Sequence, residues 1–344
     1  MNEPSQARAT PLWIRSLLIL MVSVGGLTTS PAWAQGQDST PGERYLRIAA
    51  ELLPGTWDNA NQHYFDKRRG LPGEARHRRT QVVIEPVQAP ALGEYVFLWR
   101  AEHRIDSETP VRDVRVLKLS ADGPADAITV SLTALPADSA DTAESLAALN
   151  PNDLDGAPSC AWYLTRDAGG FRGDTAPERG DGSRRAGHWI SLSPDDLFLA
   201  APELVPGEGP DARQSPYWLE RARVFHCYAD VPGVGGGRDE PFDRYDGIEL
   251  HDKGGMHWFT TRDAEAREVG LSLQAVTWHV LNEDNGNFNR NSLVIYVVEK
   301  LPDGSVKEHG YAFTDPKADR IGVNLKWMLV NCSMIRRDEA RPEL

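Results

Sequence analysis

The chain has 344 residues and a formal net charge of −13, because 50 acidic side chains outnumber 37 basic ones. This excess of negative charge repels phosphate backbones and anionic lipids, so the composition argues against nucleic acids and membrane surfaces as partners. The length is enough for two domains of ordinary size.

The N-terminal segment, residues 1–34, is predicted to be a signal peptide. Arg8 and Arg15 precede the apolar run SLLILMVSVGGL, which is shorter than the roughly 20 residues that a transmembrane helix needs. Ala32 and Ala34 then supply the small residues that signal peptidase recognises. We therefore expect an exported protein, periplasmic or secreted, with no membrane span after cleavage. A single membrane anchor is the alternative.

Two helices are predicted in the first half of the mature chain. In PGERYLRIAAELLPG, the residues Tyr45, Ile48 and Leu52 recur at helical spacing, and Pro54 ends the helix. A second, short helix is predicted in DTAESLAALN, residues 141–150.

Most of the remaining sequence up to residue 224 is typical of short β-strands. The segments are rich in β-branched and aromatic residues, and clusters of Gly, Pro, Asp and Ser separate them. They are TQVVIEP, EYVFLWRAE, RDVRVLKLS, DAITVSLTA, CAWYLTRD and GHWISLS. Alternation such as that of Leu117, Lys118 and Leu119 indicates a sheet with one face in water, which favours an antiparallel barrel or sandwich.

A second set of strands follows the Pro- and Gly-rich stretch APELVPGEGPDARQSP, and we place the boundary near residue 224. Its last segment, IGVNLKWMLVN, alternates clearly, and Asp303 with Gly304 has the composition of a tight hairpin turn. The chain is therefore divided into four parts. They are the signal peptide (1–34), a first β-rich domain (35–224), a C-terminal β-rich domain of unknown role (225–335) and a tail (336–344).

Three cysteines, Cys160, Cys227 and Cys332, would meet an oxidising compartment after export. One disulfide and one remaining thiol is the simplest outcome. We favour the pair Cys227–Cys332, because these residues lie near the two ends of one segment. A metal site is the alternative, but no C-x-x-C spacing supports it.

The sequence has none of the common enzyme signatures G-x-S-x-G, Walker A or H-E-x-x-H. His251, Asp252 and His257 flank a predicted Gly-Gly turn and could converge on a metal ion. Their spacing matches no strong metal-binding pattern, so we predict no metal site.

Several features of residues 45–224 occur in the order that is typical of one known family. They are an early N-x-x-Q (Asn59, Gln62), a strand that ends at Pro86, an aromatic strand (Tyr95 to Trp99), an R-x-x-R-V-x-x-L strand (Arg112, Arg115, Val116, Leu119), Cys160, the segment GGFRGDT and the closing SPYWLERA. In this order and spacing the chain resembles the T-type phycobiliprotein chromophore lyases, the CpcT/CpeT family.

The resemblance implies a calycin- or lipocalin-like antiparallel β-barrel with an N-terminal helix for residues 35–224, often dimeric, whose cavity binds a bilin, an open-chain tetrapyrrole. It also implies a lyase that needs no cofactor and attaches the bilin to a cysteine of an acceptor protein through a thioether. No catalytic residue is assigned. By matching position, the ligand-binding candidates are Asn59, Gln62, Arg112, Arg115, Cys160 and Tyr163.

The chain also departs from the family pattern. Trp99 and Arg100 stand where members commonly carry a Glu-Gln pair, and a second Cys after the F-x-G segment is missing. Bilin attachment is a cytoplasmic process, whereas this chain has a predicted signal peptide. Arg112 and Arg115 are three positions apart, so at most one of them can face a cavity. The alternative function is therefore a non-catalytic exported binding protein for a hydrophobic small molecule, or an envelope interaction protein.

Overall fold

The computed structural model describes most of the chain from Thr40 to Ile335. The described residues are 40–104, 110–121, 127–135, 142–154, 160–175, 189–200, 216–232, 242–263, 266–282, 284 and 286–335. The predicted signal peptide and the tail lie outside these ranges. Within them, no helix is long and apolar enough to cross a membrane.

Helices are few in the described ranges. They are α1 (Pro41–Leu52), α2 (Ala60–Arg68) and α3 (Ala143–Ala147), with short 3-10 helices at Gly73–Ala75 and Pro151–Asp153. α1 begins in a capping box, because the Thr40 hydroxyl accepts a hydrogen bond from the Glu43 N–H and the Glu43 carboxylate accepts one from the Thr40 N–H. α1 and α3 confirm the two predicted helices, whereas α2 was not predicted.

β-strands make up most of the rest. The first ten are β1 (Gly55–Asp58), β2 (Arg79–Val87), β3 (Tyr95–Arg104), β4 (Val111–Ser120), β5 (Ile128–Ala134), β6 (Cys160–Asp167), β7 (Gly170–Thr175), β8 (Trp189–Leu192), β9 (Asp196–Ala200) and β10 (Tyr217–Arg221). The others are β11 (Val224–Pro232), β12 (Phe242–His251), β13 (His257–Thr260), β14 (Glu268–Asn282), β15 (Gly286–Lys300), β16 (Val306–Thr314), β17 (Arg320–Leu325) and β18 (Met328–Met334).

The strands β1 to β10 form one closed antiparallel barrel. Each strand pairs with its neighbour along the chain, and β1 closes the barrel by pairing with both β2 and β10. Trp57 of β1, for example, lies between Val82 of β2 and Arg221 of β10. The predicted fold class, an all-β chain with an antiparallel barrel that follows an N-terminal helix, is therefore confirmed.

Side chains fill the described interior of the barrel. Every barrel strand contributes alternate, inward-facing apolar residues to one hydrophobic core, and the apolar face of α1 joins the same core. The largest members are Trp57, Trp99 and Trp162, each at most 2% exposed. Because almost no surface of these rings is accessible even to water, this part of the interior is a packed core and does not form an open cavity.

The strands β11 to β18 form two four-stranded antiparallel sheets, β12-β11-β18-β17 and β13-β14-β15-β16. Residues from both sheets, such as Phe225 of β11 and Leu271 of β14, belong to one hydrophobic core. Two sheets that share a core in this way form a β-sandwich. The last barrel strand ends at Arg221, and the first sandwich strand begins at Val224.

Cys227 and Cys332 are joined by a disulfide bond. The two residues lie opposite each other on β11 and β18, and both are buried in the sandwich core. The bond links positions 105 residues apart. In the chain-entropy model, a loop of about 100 residues gives up to ~4.7 kcal/mol of stabilisation.

Candidate functional site

Asn59 connects the start of α2 to the start of β2. Its side chain is fully buried. The amide nitrogen donates to the Arg78 carbonyl at 2.8 Å, and the amide oxygen accepts from the Thr80 N–H at 2.7 Å. Both the nitrogen and the oxygen of the amide are therefore hydrogen-bonded to the backbone. These contacts give Asn59 a structural role.

Gln62 makes the corresponding connection between α2 and β10. Its amide nitrogen donates to the Pro216 carbonyl at 2.9 Å, and its oxygen accepts from the Trp218 N–H at 3.0 Å. Next to it, the His77 ring lies 2.7 Å from the Asp66 carboxylate in a buried pair. Asn59 and Gln62 therefore connect α2 to the barrel strands β2 and β10. Neither amide points into an open cavity.

Arg112 and Arg115 lie on opposite faces of β4, as their spacing requires. Arg115 is buried on the inner face, and its Nε donates to the Asp113 carboxylate at 2.7 Å. Arg112 is on the outer face with a side chain 74% exposed, and its Nε lies 3.7 Å from the Glu102 carboxylate. Only Arg112 is accessible to a ligand from the outside.

The two remaining candidates lie on β6. Cys160 pairs with Leu132 of β5 through its backbone, and its side chain is outside the described part of the structure. Tyr163 alternates with Trp162 and Leu164, which are both in the barrel core, so the Tyr163 ring is on the outer face. The fold therefore does not gather the six sequence-predicted residues around one interior cavity.

A groove of about 280 Å³ lies on the outer face of β2, β3 and β4. Two cross-strand rows of side chains form its floor. They are Val83–Arg100–Val114 and Gln81–Glu102–Arg112. The groove thus combines two branched apolar side chains with two guanidinium groups, an amide and one carboxylate.

Ion pairs hold the charged side chains of this groove in place. The Arg100 guanidinium lies 2.7 Å from Glu85, and the Glu102 carboxylate is shared between Arg104 and Arg112. All of these groups are at least one-fifth exposed, so each pair contributes only about 0–1 kcal/mol to stability. An anionic ligand can therefore compete for the two guanidinium groups at low cost.

Trp99 and Arg100, the two residues that depart from the family pattern, lie on opposite faces of β3. Trp99 points inward and helps to fill the barrel, whereas Arg100 points outward and lines the groove. The sequence analysis selected none of Gln81, Arg100 and Glu102 as a ligand-binding candidate, and it noted Arg100 only as a departure from the family pattern. The pattern that could have indicated them is strand alternation, because it places these side chains on the outer face together with Arg112.

A second polar cluster, also unpredicted, lies where the barrel meets the sandwich. Arg79 of β2 donates to the fully buried Asp58 carboxylate and, at 2.6 Å, to the Lys253 carbonyl. The Lys253 ammonium in turn lies 3.4 Å from Glu220 of β10. The outer face of β1, β2 and β10 is therefore connected to the sandwich through charged groups.

Two groups at this junction have displaced pKa values. Burial raises the pKa of Asp58 to about 6, although the Arg79 guanidinium acts in the opposite direction. Burial, together with the positive charges of Arg79 and Lys253, lowers the pKa of His251 to about 4. The pKa of the acid is thus raised and that of the base is lowered, so both groups at the junction titrate between about pH 4 and pH 6.

Asp252, one of the three residues that could converge on a metal ion, has another partner. The Asp252 carboxylate accepts hydrogen bonds from the Arg223 N–H at 2.9 Å and from its guanidinium at 2.7 Å. In the described part of the chain, no three His, Cys, Asp or Glu side chains come close enough together to hold a metal ion.

Comparison with known proteins adds no family to these observations. A scan of the sequence against models of protein families gives no match, and a search of curated proteins finds no significant match.

Proposed function

We propose that this protein is an exported, non-catalytic binding protein for a small amphipathic molecule that carries carboxylate groups. The ligand lies in the groove on the outer face of β2, β3 and β4, and an open-chain tetrapyrrole is the ligand class that the sequence resemblance suggests. The observation that carries the proposal is the composition of the groove. Val83 and Val114 offer an apolar floor, and Arg100 and Arg112 offer guanidinium groups on either side of Glu102.

The chemistry of the ligand follows from this lining. Guanidinium groups bind carboxylates in a paired, charge-assisted geometry, and branched apolar side chains contact the hydrocarbon part of the same molecule. Among the described lining residues, the one carboxylate is that of Glu102, which already interacts with Arg104 and Arg112. A bilin, with two propionates on a flat conjugated framework, has matching features.

Because the barrel interior is packed, a ligand site on the outer face is favoured over one inside the barrel. Trp99, at the position of the departure from the family pattern, occupies interior volume with an exposure of 2%. A barrel that is filled at this position favours binding on the outer face without the family's reaction inside the barrel.

Chromophore lyase activity is the second candidate, and Arg112 favours it because this residue of the family pattern lies in the groove. One experiment separates the two functions. Mature protein, residues 35–344, is titrated with phycocyanobilin and followed by red absorbance, and a phycobiliprotein acceptor is then added. Binding without a covalent adduct on the acceptor cysteine supports the binding protein. An adduct that forms faster than without the protein supports the lyase, and no binding at all contradicts both.

A further inference from the structure

A cleft of about 240 Å³ separates α2 of the barrel from β14 of the sandwich. It is distinct from the groove on β2 to β4. Its lining on the barrel side comes from α2, and on the sandwich side from the two residues that follow β12 and from the middle of β14. The residues are Ala60, Asn61, Tyr64, Phe65, Asp252, Lys253, Gln274, Ala275, Val276 and Thr277.

The backbone hydrogen-bond ladder along this edge of β14 stops at the cleft. The Gly254 N–H donates to the Leu273 carbonyl at 3.0 Å, and the Ala275 N–H donates to the Asp252 carbonyl at 2.7 Å. Alternate residues of a strand direct their backbone groups to the same edge, so Thr277 is the next to do so. Among the described residues, no strand pairs with this edge of β14 beyond Gln274.

The charged side chains around the cleft are neutralised within the protein. Asp252 pairs with Arg223 at 2.7 Å, and the Lys253 ammonium lies 3.4 Å from Glu220. Glu220 also accepts a hydrogen bond from Asn61. The cleft therefore presents no unpaired charge to a bound molecule. This favours a peptide segment that is uncharged in the part that lies along Ala275 to Thr277.

Two aromatic rings provide an apolar wall on the opposite side. Tyr64 and Phe65 are each 48% exposed, and their rings meet edge to face with centroids 5.4 Å apart. Exposed neighbouring rings of this kind are unusual on a surface that has no partner. They lie across the cleft from the strand edge, where they can contact a side chain of a segment that pairs with β14.

We propose that this cleft binds an extended peptide segment of a partner protein by strand addition to the open edge of β14. Backbone hydrogen bonds to the Ala275 carbonyl and to the backbone groups of Thr277 supply the affinity, and an apolar or aromatic side chain of the segment packs against Tyr64 and Phe65. The proposal is independent of the ligand in the outer groove.

The test uses mature protein and a defined probe. The probe is an acetylated nonapeptide of alternating threonine and valine with a central phenylalanine and a lysine at each end. Its control has the same side chains but carries a methyl group on each backbone nitrogen of the central five residues, which removes the donors needed for strand pairing. Binding is measured by fluorescence anisotropy, and its location by amide hydrogen exchange.

Three results are expected together. The unmethylated peptide slows exchange of the Thr277 amide, the methylated peptide does not bind, and Phe65→Ala weakens binding about tenfold, which corresponds to about 1.4 kcal/mol. Phe242→Ala, which removes a similarly exposed phenylalanine from β12, leaves binding unchanged. Equal binding of both peptides, protection located elsewhere, or no binding at millimolar peptide would overturn the proposal.

Discussion

The displaced pKa values of Asp58 and His251 lead to a quantitative prediction about pH and stability. Asp58 has a pKa of about 6 in the folded protein against an ordinary value of 3.8, and His251 has a pKa of about 4 against 6.5. The charged groups that face them at the junction are Arg79, Asp252 and Lys253. We predict that the two residues have opposite effects on stability as the pH falls, and that single substitutions reveal each effect.

The signs follow from proton binding in the two states. Between pH 3.8 and 6 the folded protein binds more protons at Asp58 than the unfolded chain does, so this residue raises the free energy of unfolding as the pH falls. Between pH 4 and 6.5 the unfolded chain binds more protons at His251, so that residue lowers the free energy of unfolding as the pH falls. At 1.36 kcal/mol per pKa unit, each effect amounts to about 3 kcal/mol.

In the wild-type protein these two contributions nearly cancel between pH 7 and pH 4. In His251→Gln only the Asp58 contribution remains, so the variant should gain about 3 kcal/mol relative to wild type on acidification. In Asp58→Asn only the His251 contribution remains, and the variant should lose about as much. Glu249→Gln, which removes an exposed carboxylate from β12, serves as the control and should stay parallel to wild type.

The assay is urea denaturation at pH 7, 6, 5 and 4, with the free energy of unfolding obtained by linear extrapolation. Unchanged slopes would show that each variant unfolds in the same manner as wild type. If the difference between either variant and wild type varied by less than 1 kcal/mol across this range, the assignment of buried, displaced pKa values at the junction would be refuted.

Other predictions concern the fold. Asn59→Ala should cost about 1–3 kcal/mol, because it removes the acceptor of the buried Thr80 N–H, and thermal and urea unfolding measure the loss. Trp99→Ala should cost about 3–5 kcal/mol, whereas Arg100→Gln, the next residue but on the outer face, should change stability by less than about 0.5 kcal/mol; equal effects would contradict a filled barrel. Replacing both Cys227 and Cys332 by Ala should lower stability by up to ~4.7 kcal/mol, and a reducing agent should then have no further effect.

Local sequence patterns were sufficient to predict the antiparallel strands, whereas the choice of a barrel over a sandwich came from the resemblance to a known family. On β4, for example, Leu117 faces the barrel core, whereas its neighbours Val116 and Lys118 lie on the outer face, as a period of two requires. The same spacing placed Arg112 and Arg115 on opposite faces. The apolar spacing of α1 and its terminal proline were equally informative, because they reflect packing within a single element.

The stretch TWDNANQHYF shows where such patterns fail. It divides into the strand β1 and the helix α2, although no apolar face marks the helix. α2 is held by long-range hydrogen bonds, from Asn59 to β2 and from Gln62 to β10. A helix stabilised mainly by its tertiary partners has no period of its own to detect.

Neither polar site was predicted as a whole from the sequence, for a similar reason, although Arg112 was among the ligand-binding candidates. Asp58 and Arg79 meet because β1 pairs with β2, and Lys253 joins them only because the sandwich packs on the barrel. The groove residues Arg100 and Arg112 have the appearance of ordinary surface charges on two strands. Only the pairing of β3 with β4 brings them to one groove.

The most direct test of the proposed function is the affinity of the groove for phycocyanobilin. The dissociation constant is measured by absorbance titration for mature wild-type protein, for the double variant Arg100→Gln/Arg112→Gln, and for Arg320→Gln, which removes an exposed guanidinium from β17. We predict that the double variant binds about 100-fold more weakly, since each lost charge-assisted contact costs roughly tenfold, and that Arg320→Gln binds like wild type. Binding that is the same in all three proteins would contradict a ligand site on the outer face of the barrel.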